Sequence, residues 1–214
     1  MKYFAIAFTL LASTSAQAAD LNAQPYNWSG AYIGIQAGGR WAEEKTEGMG
    51  PRGPVTTSIK PSGGLIGGYA GYNHKIGSFV VGAEIGAAFN AVSADWNMSF
   101  TDYRDKAKAL ISVNARLGYA FDRTLVYATG GWAHAKYSRS FRSDDSGIGF
   151  LNYDESFKRN GYNLGAGAEY ALTDNVIARA EYRYHDFGRK TYYGDAGQAK
   201  YKQQTAVLGM TYKF

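Results

Sequence analysis

The 214-residue chain contains no cysteine. That excludes a disulfide framework, a thiolate nucleophile and a lipid-bearing cysteine behind an export signal. Proline is scarce: Pro25, Pro51, Pro54 and Pro61 are the four in the chain. All of them fall outside the strands proposed below, where a missing N–H does no damage to a ladder. Histidine is scarcer still, with His74, His134 and His185. No apolar run beyond the first residues is long enough for a helical membrane span. Charge of one sign is also lacking. The formal net charge is +5, and losing Lys2 with a leader gives +5 − 1 = +4. Both signs are mixed along the chain, so this is not a nucleic-acid footprint.

What the chain does have is glycine and aromatics: Gly 27, Tyr 18, Phe 11 and Trp 4. Strands, tight turns and interfacial rings account for that composition. The N-terminus reads as an export signal. Met1-Lys2 is a minimal charged start, Tyr3 to Ala12 is almost wholly apolar, and Ala16-Gln17-Ala18 offers the small residues of a cleavage site. Residues 1–18 are therefore assigned to a signal peptide and residues 19–214 to a single folded domain.

Period-two alternation runs through that domain. The last ten residues, Thr205-Ala-Val-Leu-Gly-Met-Thr-Tyr-Lys-Phe214, place Ala206, Leu208, Met210, Tyr212 and Phe214 on one face. Ala31–Trp41 places Ala31, Ile33, Ile35, Ala37 and Trp41 together. Leu65–His74 is weaker and rich in glycine, with Ile66, Ala70 and Tyr72 sharing a face. Phe79–Phe89 carries Phe79, Val81, Ala83, Ile85, Ala87 and Phe89 opposite Glu84. Lys108–Tyr119 is the clearest segment: Ala109, Ile111, Val113, Ala115, Leu117 and Tyr119 oppose Lys108, Leu110, Ser112, Asn114 and Arg116. Leu125–Tyr137 is ambiguous in phase. One phase, favoured here, turns Leu125, Tyr127 and Ala133 outward and His134 and Lys136 inward. Tyr162–Tyr170 sets Tyr162, Leu164, Ala166, Ala168 and Tyr170 against Asn163 and Glu169. Val176–Tyr184 sets Val176, Ala178, Ala180, Tyr182 and Tyr184 against Arg179, Glu181 and Arg183.

These segments make eight strands of about ten residues, the length a tilted strand needs to cross a bilayer. The connections alternate. Asn73–Ser78, Ala120–Thr124 and Ala171–Asn175 are short, while Ala42–Gly63, Asn90–Lys106, Ser138–Asn160 and Asp186–Lys202 are long and polar. Short turns on one side and long loops on the other describe an all-β, antiparallel up-and-down transmembrane barrel. A soluble eight-stranded carrier would show the same alternation with its apolar face turned in around a ligand. The charged face decides between them. Glu84, Arg116, Glu169, Arg179, Glu181 and Arg183 must lie inside a narrow barrel, because a charge facing acyl chains costs about 2–4 kcal/mol at the midplane. With Asn114 they form an expected interior polar network.

Particular stretches carry a family resemblance. Trp28-Ser-Gly-Ala-Tyr-Ile-Gly34, Ala70-Gly-Tyr-Asn73, Ala180-Glu-Tyr-Arg-Tyr-His-Asp-Phe-Gly188 and Val207-Leu-Gly-Met-Thr-Tyr-Lys-Phe214 resemble the outer membrane immunogenic protein or porin-like family of alphaproteobacteria. The resemblance covers the whole of residues 19–214. It implies a small OmpA-like barrel in the bacterial outer membrane, beside lipopolysaccharide. It also implies that the barrel assembly machinery reads the C-terminal residues Leu208, Met210, Tyr212 and Phe214. Some members of that family bind haemin, and others are surface antigens or porins.

No catalytic constellation is legible, and neither is a metal or cofactor site. Glu84 and Glu169 are read as salt-bridged to Arg116, Arg179 or Arg183, in a lumen filled by side chains. The run Gly63-Gly-Leu-Ile-Gly-Gly68 lacks the Lys-Ser/Thr of a phosphate loop and is read as strand packing. The leading expectation is a non-enzymatic surface protein that contributes to the envelope and presents four outer loops to a host or environmental ligand. A ligand binder is the second, with haemin as the candidate, since haem iron takes His or Tyr ligands and Tyr184 and His185 lie at the outer end of a strand. A narrow porin is the third. Basic residues in and beside the loops, Arg139, Arg142, Lys158, Arg159, Arg189, Lys190, Lys200 and Lys202, could meet lipopolysaccharide phosphates. Nearby Asp144, Asp145, Asp154, Glu155 and Asp195 make a mixed, solvated surface the simpler reading.

Overall fold

Alternation of side chains fixes which face of a strand meets its neighbours' apolar face, and the backbone pairing then has little freedom. The computed structural model describes residues 26–50, 53–60, 62–90, 94–98, 101–143, 151–192 and 197–214. Among the described residues the regular elements are strands: β1 (Gly30–Gly50), β2 (Gly53–Ile59), β3 (Ser62–Ile76), β4 (Phe79–Asn90), β5 (Ala94–Met98), β6 (Thr101–Phe121), β7 (Thr124–Ser143), β8 (Leu151–Ala171), β9 (Val176–Tyr192) and β10 (Gly197–Lys213). The order β10-β9-β8-β7-β6-β4-β3-β1 is antiparallel throughout and closes through β10–β1 pairing. This is a closed eight-stranded barrel, as the alternation predicts. Closure leaves no sheet edge among the eight, which is the condition for placing backbone in lipid. The export-signal segment, residues 1–18, lies outside the described residues.

Three tight connections sit at one end. Gly77-Ser78 joins β3 to β4, with Gly77 at φ 63°. Asp122-Arg123 joins β6 to β7, with Asp122 at φ 50°, a region that aspartate tolerates better than most side chains. Leu172–Asn175 joins β8 to β9.

The opposite end differs from expectation. Four long polar loops were expected there; most of that sequence instead continues the ladders. β1, β6 and β8 each run for 21 residues, about twice the span that the hydrocarbon requires. The extension keeps register: the β7–β8 ladder runs without a shift from Thr124 opposite Tyr170 to Ser143 opposite Leu151. β2 and β5 are short additions that pair with the outer parts of β1 and β6. Pro54 corrects a second expectation, because it lies inside β2, opposite Met49. β2 pairs with β1 alone, so this is an edge strand, where proline is tolerated.

The outward face is apolar between two aromatic levels. Near the tight turns stand Phe79, Tyr119, Phe121, Tyr170, Tyr212 and Phe214; at the other level stand Trp41, Phe89, Trp132, Tyr162 and Tyr182, all exposed. Ile35, Ile85, Val113, Leu117, Leu164, Leu208 and Met210 lie between them, equally exposed. The favoured phase of β7 is overturned. Leu125, Tyr127 and Ala133 are buried in the lumen, while Val126 and Trp132 face outward, and Lys136 is exposed. The segment carries hydrophobic residues at both parities, so alternation could not choose. The lumen chose, by giving the Tyr127 hydroxyl a carboxylate partner and Leu125 an apolar floor.

Candidate functional site

The lumen is filled in three layers. At the turn end, residues 26–29 fold across the mouth before β1 begins. Tyr26 and Trp28 meet edge to face, with ring centroids 4.8 Å apart. Trp28 is 1% exposed and donates from Nε1 to the Asp122 carbonyl at 3.1 Å. The Tyr26 hydroxyl donates to the Asp174 carbonyl at 3.0 Å. Lys75 Nζ donates to the Tyr26 carbonyl at 3.1 Å, and Lys213 Nζ to the Asn27 carbonyl at 2.6 Å. The segment is thus fastened at points around the rim, over an apolar cluster that includes Val80, Leu125, Ala171 and Ile177. This floor escaped the sequence reading. Its signal was Trp28 itself, a large ring just before the first alternating segment.

The middle layer is ionic. Glu84, Glu169 and Glu181 meet Arg116, Arg179 and Arg183, and all six are buried. Arg179 donates bidentately to Glu84, Nη1 to Oε2 at 2.8 Å and Nη2 to Oε1 at 3.1 Å. It also pairs with Glu181. Arg116 Nη2 donates to Glu169 Oε1 at 2.6 Å. Arg183 Nη2 lies 2.6 Å from Glu181 Oε1 and 3.5 Å from Glu84 Oε1. Asn114, with its amide oxygen turned to the donors, accepts from Arg183 Nη1 at 3.0 Å and from Ser112 Oγ at 3.1 Å. The structure therefore brings all seven residues named from sequence into one contiguous network. Neutral overall, it satisfies the rule that buried charges come paired and hydrogen-bonded.

Tyrosines complete this layer, and alternation alone does not assign them to the network. Tyr32 donates to Glu84 Oε2 at 3.0 Å and accepts from Arg116 Nη1 at 2.7 Å. Tyr127 donates to Glu181 Oε2 at 2.8 Å and accepts from Arg179 Nε at 2.7 Å. The Arg116 guanidinium lies 3.9 Å from the Tyr127 ring centre, and that of Arg179 lies 4.2 Å from Tyr69. Such rings fit a narrow barrel where glycine faces them. A Cβ on Gly34 would come within 2.4 Å of the Tyr69 ring, and one on Gly167 within 2.6 Å of Tyr127.

The outer layer is apolar again. Phe187 and Tyr201 pack with Ala42, Ala133 and Ala135. His185 is 1% exposed and stacks near-parallel to Phe187, ring centroids 6.1 Å apart. The haemin candidates are thereby separated. His185 faces the filled lumen, whereas the neighbouring Tyr184 takes the outward side of β9, opposite Gln204. One iron cannot take both as ligands, because successive side chains of a strand point to opposite faces. Leu208, Met210, Tyr212 and Phe214 all face outward and are exposed. Among the described residues, no group of three His, Asp or Glu is placed to hold a metal. Nothing in this arrangement points to catalysis: each carboxylate in the lumen is held between guanidinium groups, away from solvent.

A family model described as the outer membrane protein beta-barrel domain matches residues 4–214. The chain is 32% identical to the 31 kDa outer-membrane immunogenic protein of Brucella melitensis, over 94% of this chain and 95% of that one. It is also 32% identical to the 25 kDa outer-membrane immunogenic protein of Brucella abortus, over 90% and 82%. Among solved structures, the outer membrane protease OmpT of Escherichia coli superposes with a TM-score of 0.52 at 10% identity, covering 90% of this chain and 99% of that one. That last likeness bears on the fold alone.

Proposed function

The chain belongs to the outer membrane β-barrel protein family, and from that premise we propose that it is a sealed, non-enzymatic barrel of the bacterial outer membrane whose work is done on its outer side. It contributes to envelope structure and presents its outer hairpins as a surface antigen and interaction surface. One observation carries this reading: the lumen is occupied along its length by the Trp28 floor, the Glu84–Arg179 network and the Phe187–Tyr201 layer. A blocked lumen does not pass solutes, and a fully paired ionic layer has no free acid or base to lend to a reaction. The hairpins are what remains to meet other molecules. In the same reading, residues 1–18 are removed as an export signal, and Leu208, Met210, Tyr212 and Phe214 form the outward stripe read by the assembly machinery.

Electrical recording tests the sealed lumen. Refolded protein in a planar bilayer is expected to give no large, stable conductance steps; such steps would overturn the sealed reading in favour of a porin. Labelling tests the surface role. An epitope placed between Ser143 and Leu151 should be reached by antibody on intact cells, and labelling only after lysis would count against it.

A further inference from the structure

Outside the barrel, charges are set beside like charges. Trp41, Trp132 and Tyr162 mark the outer aromatic level. Two outward-facing positions further along the same strands stand Lys45, Lys136 and Lys158. Four residues advance about 13 Å along a strand, or about 10 Å along the axis of a tilted barrel. With the reach of a lysine stem, that places the ammonium groups at the headgroup layer.

Register then lines them up. Lys45 of β1 lies opposite Lys200 of β10, and Lys200 lies opposite Arg189 of β9, so three cations on adjacent strands form one row. On another part of the wall, Lys136 of β7 lies opposite Lys158 of β8. Like charges directly opposite one another destabilise a ladder. Among the described residues, the carboxylate within ion-pair range of either row is Glu43, 3.7 Å from Lys45. Lys45, Lys200 and Arg189 also line one open cleft on the outer wall, together with Glu43, Glu47 and Lys202. Four cations against two carboxylates leave that cleft positive.

We propose that these rows bind phosphate groups of the phosphorylated glycolipid of the outer leaflet, with Lys45, Lys200 and Arg189 as the principal site and Lys136 with Lys158 as a second. A phosphate between two cations removes their repulsion and accepts charge-assisted hydrogen bonds from both. Arg189 adds a planar fork suited to two phosphate oxygens. The height of the rows above the aromatic level selects a lipid headgroup over a dissolved anion.

The test uses the full folded barrel in nanodiscs of three compositions: zwitterionic phospholipid alone, the same with lipid A, and the same with lipid A stripped of phosphate. The midpoint of the heat-induced change in gel migration is read in each. The wild type should gain stability with lipid A and not with the dephosphorylated form. K200Q and K158Q should each lose part of that gain, and K45Q/K200Q/R189Q most of it. In zwitterionic lipid alone the single variants should match or exceed the wild type, because a like-charge contact is relieved. R123Q, at the turn end and so at the opposite end of the barrel from both rows, should keep the wild-type gain with lipid A. Equal gains for wild type and triple variant would overturn the proposal. So would an equal gain without the phosphates, or the same gain from millimolar inorganic phosphate in zwitterionic lipid.

Discussion

The inside and the outer wall of this barrel both carry arginine, lysine and glutamate, but they solve the problem of charge differently. In the lumen, three carboxylates and three guanidiniums interlock across strands distant in sequence, with Glu84 and Arg183 99 residues apart. On the outer wall, Lys45, Lys200 and Arg189 stand in a row. A buried charge must find its partner within the protein, since neither solvent nor lipid can supply one. A charge at the headgroup layer can take its partner from outside. Composition alone does not separate these two cases; direction of the side chain does.

The largest expected effect comes from breaking the lumen's pairing. Glu84→Gln keeps the shape of the side chain but removes the charge that holds Arg179 bidentately and approaches Arg116 and Arg183. Removing one partner of a buried pair costs about 3–5 kcal/mol. The check is the urea midpoint of folding into phospholipid vesicles, which should fall well below that of the wild type. An unchanged midpoint would mean that the lumen holds water enough to solvate Arg179.

Putting a charge on the lipid side gives the next largest effect. Leu208 is 71% exposed and sits between the aromatic levels, opposite Ala37 and Ala180. Leu208→Arg should lower stability in vesicles by about 2–4 kcal/mol. The same substitution at Lys202, one step beyond the outer aromatic level, should be close to neutral. If both substitutions were tolerated alike, the apolar face would not be facing lipid.

A third effect tests space rather than charge. Gly167→Ala brings a methyl group against the Tyr127 ring and the Ala180 carbonyl, at 2.6 and 2.7 Å. Overpacking of this kind costs about 1–3 kcal/mol. Its cost should shrink when Tyr127 is also replaced by a smaller residue, which a double-mutant cycle would measure.

Much of this was legible in the sequence, and the parts that were not share a cause. Strand number, closure, the outward stripes and the seven network residues follow from period-two alternation, with charge excluded from lipid. β7 was misread because Leu125, Tyr127 and Val126 are all hydrophobic, so the parity carried no signal. Tyr69 and Tyr127 do not read as lumen residues because tyrosine suits an aromatic girdle equally well. What places them inside is glycine opposite, at Gly34 and Gly167, and that is a relation between strands that no single segment displays. The outer ladders read as loops because their sequence is polar. Their pairing continues the backbone register of the membrane-spanning part, as far as Ser143 opposite Leu151 in β7 and β8, and needs no greasy face.

The smallest expected effect completes the contrast between paired charges in different surroundings. Arg123 and Asp174 form an ion pair at 3.1 Å on the turn end, with side chains 41% and 85% exposed. Chemically it is the same contact as Arg116 with Glu169 at 2.6 Å in the lumen. Water at the turn end solvates either partner when the other is lost, and salt screens the pair. Asp174→Asn should therefore cost less than about 1 kcal/mol, and that cost should fade as salt is raised. The backbone carbonyl of Asp174, which holds the Tyr26 hydroxyl, is untouched by the change, so the floor should stay in place. Glu169→Gln in the same assay should cost several times more and respond little to salt. A comparable loss from both would show that the turn end is as dry as the lumen, and the difference between the two regions would then lie in packing and not in solvation.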